Sequence, residues 1–556
     1  MALKPPAQSP ALFHKKKRFR IGPILLALAL VAGGFATYRY ILRDAEDSRA
    51  TPVAACDVPL QFLERIANGY YPGRSGDVLA LEQEPHQFGT RHSSAYPYTQ
   101  DVPLVLYGPG FIRAGETSDR QVTVADLAPT FAELLDFDFP DRDGRMLEEA
   151  LLPKTERSGV PRLIFTLVWD GGGDNVLEQW PDQWPNLKRI IGEGASYSRA
   201  TVGSTPSITP SIHSTIGTGA FPSRHGQPDT KMRVQGKIVD AWEGTSPRYL
   251  RVKTLADLFD AANDNAPLIG LHARDSWHLG MIGQGAYLPE GDSDIAVLDR
   301  LGAVEFRTNP KYYSMPEYAT TFTGLDEAIQ EVDLRDGSAD RNWLGNPLLP
   351  FDGSIRQTPA WSIFQSQKII ELLTNEGFGS DAVPDLFFTN YKATDLAGHA
   401  WNMVEPEERD NLAEQDRQLP VLIDALNELV GPDDYVLALT ADHGQTPYPR
   451  ETGGWSIETR EMTADIERRF DTKTPKKHLV LSNRGYQIFL DKTEMKRNKV
   501  TAEDVSRFVR SYHIGENRTS TNRLLRRFEG REEERLFLTA LTPTELERAL
   551  ECARSR

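Results

Sequence analysis

Three apolar runs of strand length end on residues able to hold a cation or to move a proton. "RLIFTLVWDGGG" runs into Asp170, "DLFFTNYKATDLAGH" carries Asp395 and His399, and "YVLALTADHG" ends on Asp442 and His443. Asp395 and His399 are four residues apart, so one helical turn brings both to the same side. Asp442 and His443 are adjacent, and a sharp turn after the strand aims both at one region. Mixed carboxylate and imidazole donors suit zinc, with manganese as the alternative. A single Asp after a strand is most often a turn residue or a helix cap. Its recurrence beside histidines points instead to a shared ion.

A fourth segment, "TVGSTPSITPSIHSTIGTGAFPSRHG" (201–226), packs small hydroxyl residues around Thr209. One reading is a Ser/Thr-rich loop that caps a helix. The other is a hydroxyl nucleophile at a helix start, where free N–H groups and the helix dipole favour an anion. A threonine hydroxyl needs a base or a metal to become nucleophilic at neutral pH. No G-x-S-x-G elbow is present to imply a base-driven triad, so the metal would come from the Asp/His set.

These residues need a scaffold that delivers strand ends to one place. Uninterrupted apolar runs fit strands buried on both faces, as in a parallel sheet covered by helices. "WPNLKRIIGEGASY" and "TPAWSIFQSQKIIELLTNEG" are amphipathic candidates for those helices. The expected class is α/β, a mostly parallel sheet with helices on both faces and its ligand site beyond the carboxyl ends of the strands.

The 556 residues suffice for a large core. The net charge of −16 argues against nucleic-acid binding. The N-terminus differs from the rest: basic "HKKKRFR" precedes apolar "IGPILLALALVAGGFATY" (21–38). The apolar run is near the lower limit for a membrane span, and the basic flank predicts that the remainder is exported. A cleaved signal peptide, giving a secreted protein, is the alternative. The expected division is a basic cytoplasmic tail (1–20), a transmembrane anchor (21–42), a linker (43–57) and a periplasmic or extracellular catalytic domain. Two cysteines, Cys56 and Cys552, cannot form a disulfide framework or a C-x-x-C metal pair.

Together, "VWDGGG", "SITPSIHSTIGTGAFPSRHG", "DLAGH" and "TADHG" resemble the metal and nucleophile segments of the alkaline phosphatase superfamily, in particular its nucleotide pyrophosphatase/phosphodiesterase branch. The resemblance implies a Thr209 nucleophile, a phosphothreonine intermediate and two divalent ions. One ion would be held by Asp395, His399 and a further His, the other by Asp170, Asp442, His443 and Thr209. In the family that further His follows the Asp-His pair and closes the domain. Here its context is found upstream, as "GTRHSSAYPYTQDVPLVLYGPG" (89–110), which continues into "VTVADLAPTFAELLDFDFP". The chain therefore resembles a circularly permuted member, with residues 58–157 as the family's C-terminal portion and His92 as the missing ligand. Residues 158–556 form the remainder, with a cap or substrate region within about 228–384. Permutation would also make Cys56 and Cys552 neighbours, free to form a disulfide in an oxidising compartment. "LTPTELERALECARSR" reads as a terminal helix capped by Thr542, Pro543 and Glu545.

Substrate features are sparser. The family's phosphoryl-binding Asn is replaced near its expected place by Asp229 and Thr230, and the monoesterases' S-x-K-x-R stretch leaves only Arg274 in "GLHARDSWHLGMIG". His272 and His278 are further pocket candidates, though each is more often structural. The shortage of cations favours diesters or pyrophosphates over dianionic monoesters. The substrate class expected is a small phosphate ester or nucleotide. A phosphomonoesterase, a lipid-linked phosphotransferase and a metal-stabilised binding module are the alternatives. A sulfatase is disfavoured, because its Cys/Ser-x-Pro-x-Arg signature is missing.

Overall fold

The structure, a computed structural model, describes residues 55–89, 91–300, 304–471, 477–518 and 526–556. The expected anchor lies outside the described residues, and among those described no helix is long and apolar enough to cross a membrane.

The described chain begins with helix α1 (Leu60–Gly69), strands β1 (Val78–Glu82), β2 (Leu104–Tyr107) and β3 (Glu116–Ser118), and helix α2 (Leu127–Leu134). Strand β4 (Leu163–Trp169), helix α3 (Pro185–Glu193) and β5 (Ala195–Tyr197) lead to helix α4 (Thr209–Thr218). Helix α5 (Leu255–Ala262) precedes strands β6 (Ile269–Arg274), β7 (Ile295–Asp299) and β8 (Phe306–Arg307). Helix α6 (Pro359–Glu376), strand β9 (Asp385–Tyr391), helices α7 (Ala393–Ala400) and α8 (Pro406–Leu429), and strand β10 (Tyr435–Thr440) follow. Strands β11 (Val480–Asn483), β12 (Gln487–Leu490) and β13 (Phe537–Leu541) and helix α9 (Pro543–Arg554) complete it.

Nine strands form one sheet in the order β8–β7–β6–β9–β4–β10–β2–β5–β3. Its centre, β7 through β10, is parallel and buried throughout except at Arg274, as the apolar runs require. Alternate residues of β4 feed two cores. Ile164 and Val168 face the layer of α2, α4 and α5, and Leu163, Phe165, Leu167 and Trp169 face α3, α6 and α8. Parallel pairing thus holds through the centre and recurs between β3 and β5, five of the sheet's eight pairings, as a mostly parallel sheet requires. The whole is mixed, because β8 runs antiparallel to β7, and β2 to both β10 and β5. Strand β2 comes from a distant part of the chain, so no right-handed crossover fixes its direction. Of the region 228–384, strands β6, β7 and β8 belong to this sheet.

A second sheet, β11–β12–β1–β13, was not foreseen. All its pairings are antiparallel, and β1 lies between β12 and β13, with Leu79 opposite both Gln487 and Leu541. Residues from the two ends of the described chain therefore share one hydrogen-bonded layer. Helix α1 adds to the junction, burying Phe62, Leu63 and Ile66 with Leu546 and Ala549 of α9. The Thr542 capping box forms, with Pro543 opening α9. Cys56 and Cys552 are joined in a disulfide, with Cα atoms 5.3 Å apart and a sequence separation of 496. Arg554 pairs with Glu64 at 3.3 Å, and Arg556 with Asp57.

A cross-link closing so long a loop stabilises mainly by restricting the unfolded chain. Replacing both cysteines (Cys56→Ser with Cys552→Ser) should lower the unfolding free energy by about 2–4 kcal/mol. Urea denaturation would read this as a lower midpoint, and an unchanged midpoint would show that packing of α1 on α9 closes the ends without it.

Candidate active site

Asp170, Lys392 and Asp395, and Asp442 and His443 follow the carboxyl ends of β4, β9 and β10, three neighbouring strands of the parallel centre. Parallel register delivers these residues to the same edge of the sheet. Gly171 then allows close approach of the next element. A Cβ there would lie 2.9 Å from the Asp395 Cα, and its φ of +74° is one that side chains rarely adopt. The Gly171 N–H also donates to Asp442 Oδ1 at 3.1 Å.

Helix α7 forms the expected turn, and His399 Nε2 lies 3.4 Å from Asp395 Oδ1. Gly398 has a packing reason, because a Cβ there would meet Gln445 Oε1 at 1.7 Å. The Gln445 amide donates to Glu408 at 2.7 Å and to the carbonyls of Gly171 and Thr394 at 3.2 Å, tying three segments together.

His92 arrives by way of β2. Antiparallel pairing sets Leu104 opposite Thr440, so the residues before β2 run toward the carboxyl end of β10. His92 Nε2 lies 3.5 Å from Asp395 Oδ1, and the His92 ring stacks on His443 at 3.4 Å between centroids. Its Nδ1 pairs with the Ser207 carbonyl at 2.8 Å, while Ser207 Oγ donates to the His92 carbonyl at 2.5 Å. That reciprocal pair fastens the His92 segment to the loop leading into Thr209. Thr209 is the first residue of α4, where the dipole favours negative charge.

The cation at the centre is Lys392. Its Nζ lies 2.6 Å from Asp170 Oδ1 and 2.9 Å from Asp395 Oδ2, and it donates to Thr209 Oγ1 at 3.1 Å. Burial alone would lower this ammonium, but Asp170, Asp395 and Asp442 together hold it above its ordinary range. Burial pushes the Asp170 and Asp395 carboxyls up, and Lys392 reverses that, keeping both below the usual carboxylate range. Asp442 gains less: burial and the neighbouring Asp170 push it well up. Its Oδ2 is buried without a hydrogen-bond partner.

The histidines complete a donor set suited to cations. His443 Nδ1 pairs with the Gly444 carbonyl at 2.9 Å, which leaves the Nε2 lone pair facing carboxylates. That Nε2 is buried without a hydrogen-bond partner, 3.3 Å from Asp442, 3.6 Å from Asp170 and 3.7 Å from Asp395. Burial holds the ring at about 4, hence neutral at neutral pH. Burial and His443 likewise drive His92 well below its ordinary value. Lone pairs facing carboxylates at van der Waals distance suit a cation shared between them. Three carboxylates share one lysine, so the residues present fit divalent ions. Donor atoms of His92, Asp395 and His443 gather within 4.8 Å of one another, as do those of Asp170, Asp442 and His443.

Two further histidines stand close to Asp170. His278 Nε2 lies 3.2 Å from Asp170 Oδ2, and His213, one turn along α4 from Thr209, pairs through Nδ1 with the Thr209 carbonyl at 2.9 Å. Sequence reasoning named His278 for the pocket but overlooked His213 and Lys392. A lysine between an apolar strand and an Asp three residues on was the available signal.

The weaker substrate candidates have polar neighbours of their own. Asp229 is fully buried and accepts from Thr230 Oγ1 at 3.0 Å and from the Tyr486 hydroxyl at 3.2 Å. Thr230 Oγ1 in turn accepts from Arg484 at 2.8 Å. The Arg274 guanidinium lies 3.7 Å from Asp299, which also pairs with Arg356. His272 is a core residue against Phe306, not a pocket wall, because its strand is buried on both faces.

Residues 164–526 match the model of the type I phosphodiesterase/nucleotide pyrophosphatase family. The chain belongs to this family. It is therefore a phosphoester hydrolase, of a superfamily whose enzymes use divalent metals. An alkaline phosphatase, PafA, of Elizabethkingia meningoseptica is 22% identical over 412 residues, covering 64% of this chain and 74% of its own. A Myroides odoratus protein named as a calcium-transporting ATPase is 23% identical over 413 residues, covering 63% and 73%. The crystal structure of wild-type PafA superposes with a TM-score of 0.52 at 19% identity, over 63% of this chain and 76% of that one, a likeness of fold. The family match begins after His92, which enters the site from outside the matched span.

Lys392→Met would leave Asp170 and Asp395 buried without their counter-charge. It should cost roughly 3–5 kcal/mol of stability in metal-free protein, and added zinc should narrow the gap. Equal urea midpoints for variant and parent in chelator would contradict this charge balance.

Proposed function

We propose that the protein is a membrane-anchored, exported phosphodiesterase of nucleotide-pyrophosphatase type in which Thr209 attacks phosphorus. The observation that carries this reading is the contact of Thr209 Oγ1 with the Lys392 ammonium, among three buried aspartates and at the start of a helix. The ammonium lowers the cost of forming the alkoxide, and the helix start favours the phosphoryl oxygens as charge accumulates. A Thr209 Oγ–P bond forms as the ester P–O bond breaks, and the departing alkoxide takes a proton. Water then cleaves the phosphothreonine and restores the hydroxyl. Asp395, His399 and His92 would hold one divalent ion, and Asp170, Asp442, His443 and Thr209 the other. Zinc is favoured over manganese by the mixed imidazole and carboxylate donors. When bound, such ions neutralise charge on the entering and leaving oxygens.

The preference for diesters or nucleotide pyrophosphates rests on committed cations. Lys392 already balances two carboxylates, and Arg274 lies 3.7 Å from Asp299, so neither offers a dianion a whole positive charge. A second reading, phosphomonoester hydrolysis, draws on the same Lys392–Thr209 contact and on the alkaline phosphatase names among the relatives.

The chain order is read as a circular permutation. Its support is the interleaving of β1 between β12 and β13 and the approach of His92 to Asp395 through β2. Export is supported by the basic and apolar N-terminal run together with the Cys56–Cys552 disulfide, which an oxidising compartment maintains.

Hydrolysis of bis-p-nitrophenyl phosphate should exceed that of p-nitrophenyl phosphate in kcat/KM, and the reverse order would install the monoesterase reading. Thr209→Ala should abolish turnover of both while metal content holds, and substantial residual activity would refute the covalent route. His92→Ala should lower bound zinc per chain and cut activity at least a hundredfold, measured by metal analysis and steady-state kinetics. Unaltered metal and rate would remove His92 from the ligand set.

A further inference from the structure

At the amino end of β7, opposite the strand ends that carry Asp170 and Asp395, a second group of carboxylates converges. Asp260 lies on α5, and Asp292 and Asp294 lie in the turn that enters β7. Their donor oxygens fall within 4.8 Å of one another. Asp260 and Asp294 are only 5% and 7% exposed, while Asp292 is open to solvent. Asp257, one turn earlier on α5, adds a fourth negative charge beside them. Its own oxygens are already used, accepting from the Thr254 N–H at 2.8 Å and the Gln284 N–H at 2.6 Å.

No cation answers this charge. Among the described residues, the charged neighbours that act on Asp260 and Asp294 are all aspartates. Asp260 Oδ1 is buried without any hydrogen-bond partner. Burial, followed by Asp292 and Asp257, pushes the Asp260 carboxyl up to about 7, and burial with the other three aspartates pushes Asp294 well up. Nearby, the Asn265 backbone N–H donates to the Asp260 carbonyl at 3.0 Å, and its side-chain amide to the Glu290 carbonyl at 3.0 Å. Its Oδ1 is left buried and without a donor.

We propose that Asp260, Asp292 and Asp294 form a calcium-binding site that ties helix α5 to the entry of strand β7. The donors are all oxygen, the choice of a hard cation, and nitrogen and sulfur ligands are missing from the group. Calcium–oxygen distances of about 2.4 Å place opposing ligands at most about 4.8 Å apart, and the donor oxygens of this group all fall within that limit of one another. Three carboxylates from a helix and a turn form an irregular set. That suits calcium's flexible coordination better than the strict octahedron magnesium demands. Exposed Asp292 gives the ion a route in. The bound ion would also steady the segment that returns from His278 to β7, since Gln284 of that segment is held by Asp257.

The test uses the full chain in zinc-containing buffer, with calcium chloride as the probe. Calorimetry should show one calcium per chain, and Asp292→Asn, a surface change that leaves the fold intact, should weaken it at least tenfold. Asp294→Asn should raise the melting temperature in calcium-free buffer, by relieving repulsion, yet fall below the parent when calcium saturates. Three results would overturn the site. They are a variant more stable than the parent at every calcium concentration, magnesium stabilising the parent as well as calcium does, and unchanged calcium binding in Asp292→Asn.

Discussion

The burial of three carboxylates around one ammonium is the constraint that organises this molecule. Asp170, Asp395 and Asp442 are 4% exposed or less, and each stands past the end of a strand, shut away from bulk solvent. Ionised carboxylates persist in such a place only where cations and hydrogen-bond donors surround them. Much of the neighbourhood serves that end: Lys392 between two of them, the Gly171 N–H on the third, His278 and Asn390 on the second Asp170 oxygen. The parallel centre of the sheet supplies the rigidity, because an error in its register would move every carboxylate at once.

The central sheet and the site were legible in different degrees. β4, β9 and β10 read clearly because burial on both faces leaves an unbroken apolar run, and their acidic ends read with them. The helical turn joining Asp395 to His399 follows from spacing alone. Lys392 did not stand out, since a lysine near a strand end is ordinarily a solvated residue and only the fold reveals three carboxylates around it. Asp229, Thr230 and Arg274 were named for their neighbourhood in sequence, which does not reveal that Tyr486, Arg484 and Asp299 stand beside them. The second sheet escaped because strands as short as "VLSN" and "QIFL" carry too few positions for a period to be seen.

His92 occupies a middle position. Nothing in its own surroundings marks it, and only a family's segment order suggested that it meets Asp395. In the structure this follows from simple connectivity. β2 runs against β10, so whatever precedes β2 must emerge beside Asp442 and His443. A ring stacked on His443 and fastened to Ser207 is held on both sides before any ion is considered.

The position of β1 has a kinetic consequence. Flanked by β12 and β13, it cannot complete its hydrogen bonds until nearly the whole polypeptide has been made. A nascent chain thus carries β1 as an unpaired edge through synthesis, while the parallel centre can begin to assemble from residues in between. Contacts of such sequence separation are slow to form because loop closure precedes their reward. Assembly of the second sheet is therefore tied to completion of the chain, and a molecule truncated before β13 would lack the partner on one side of β1.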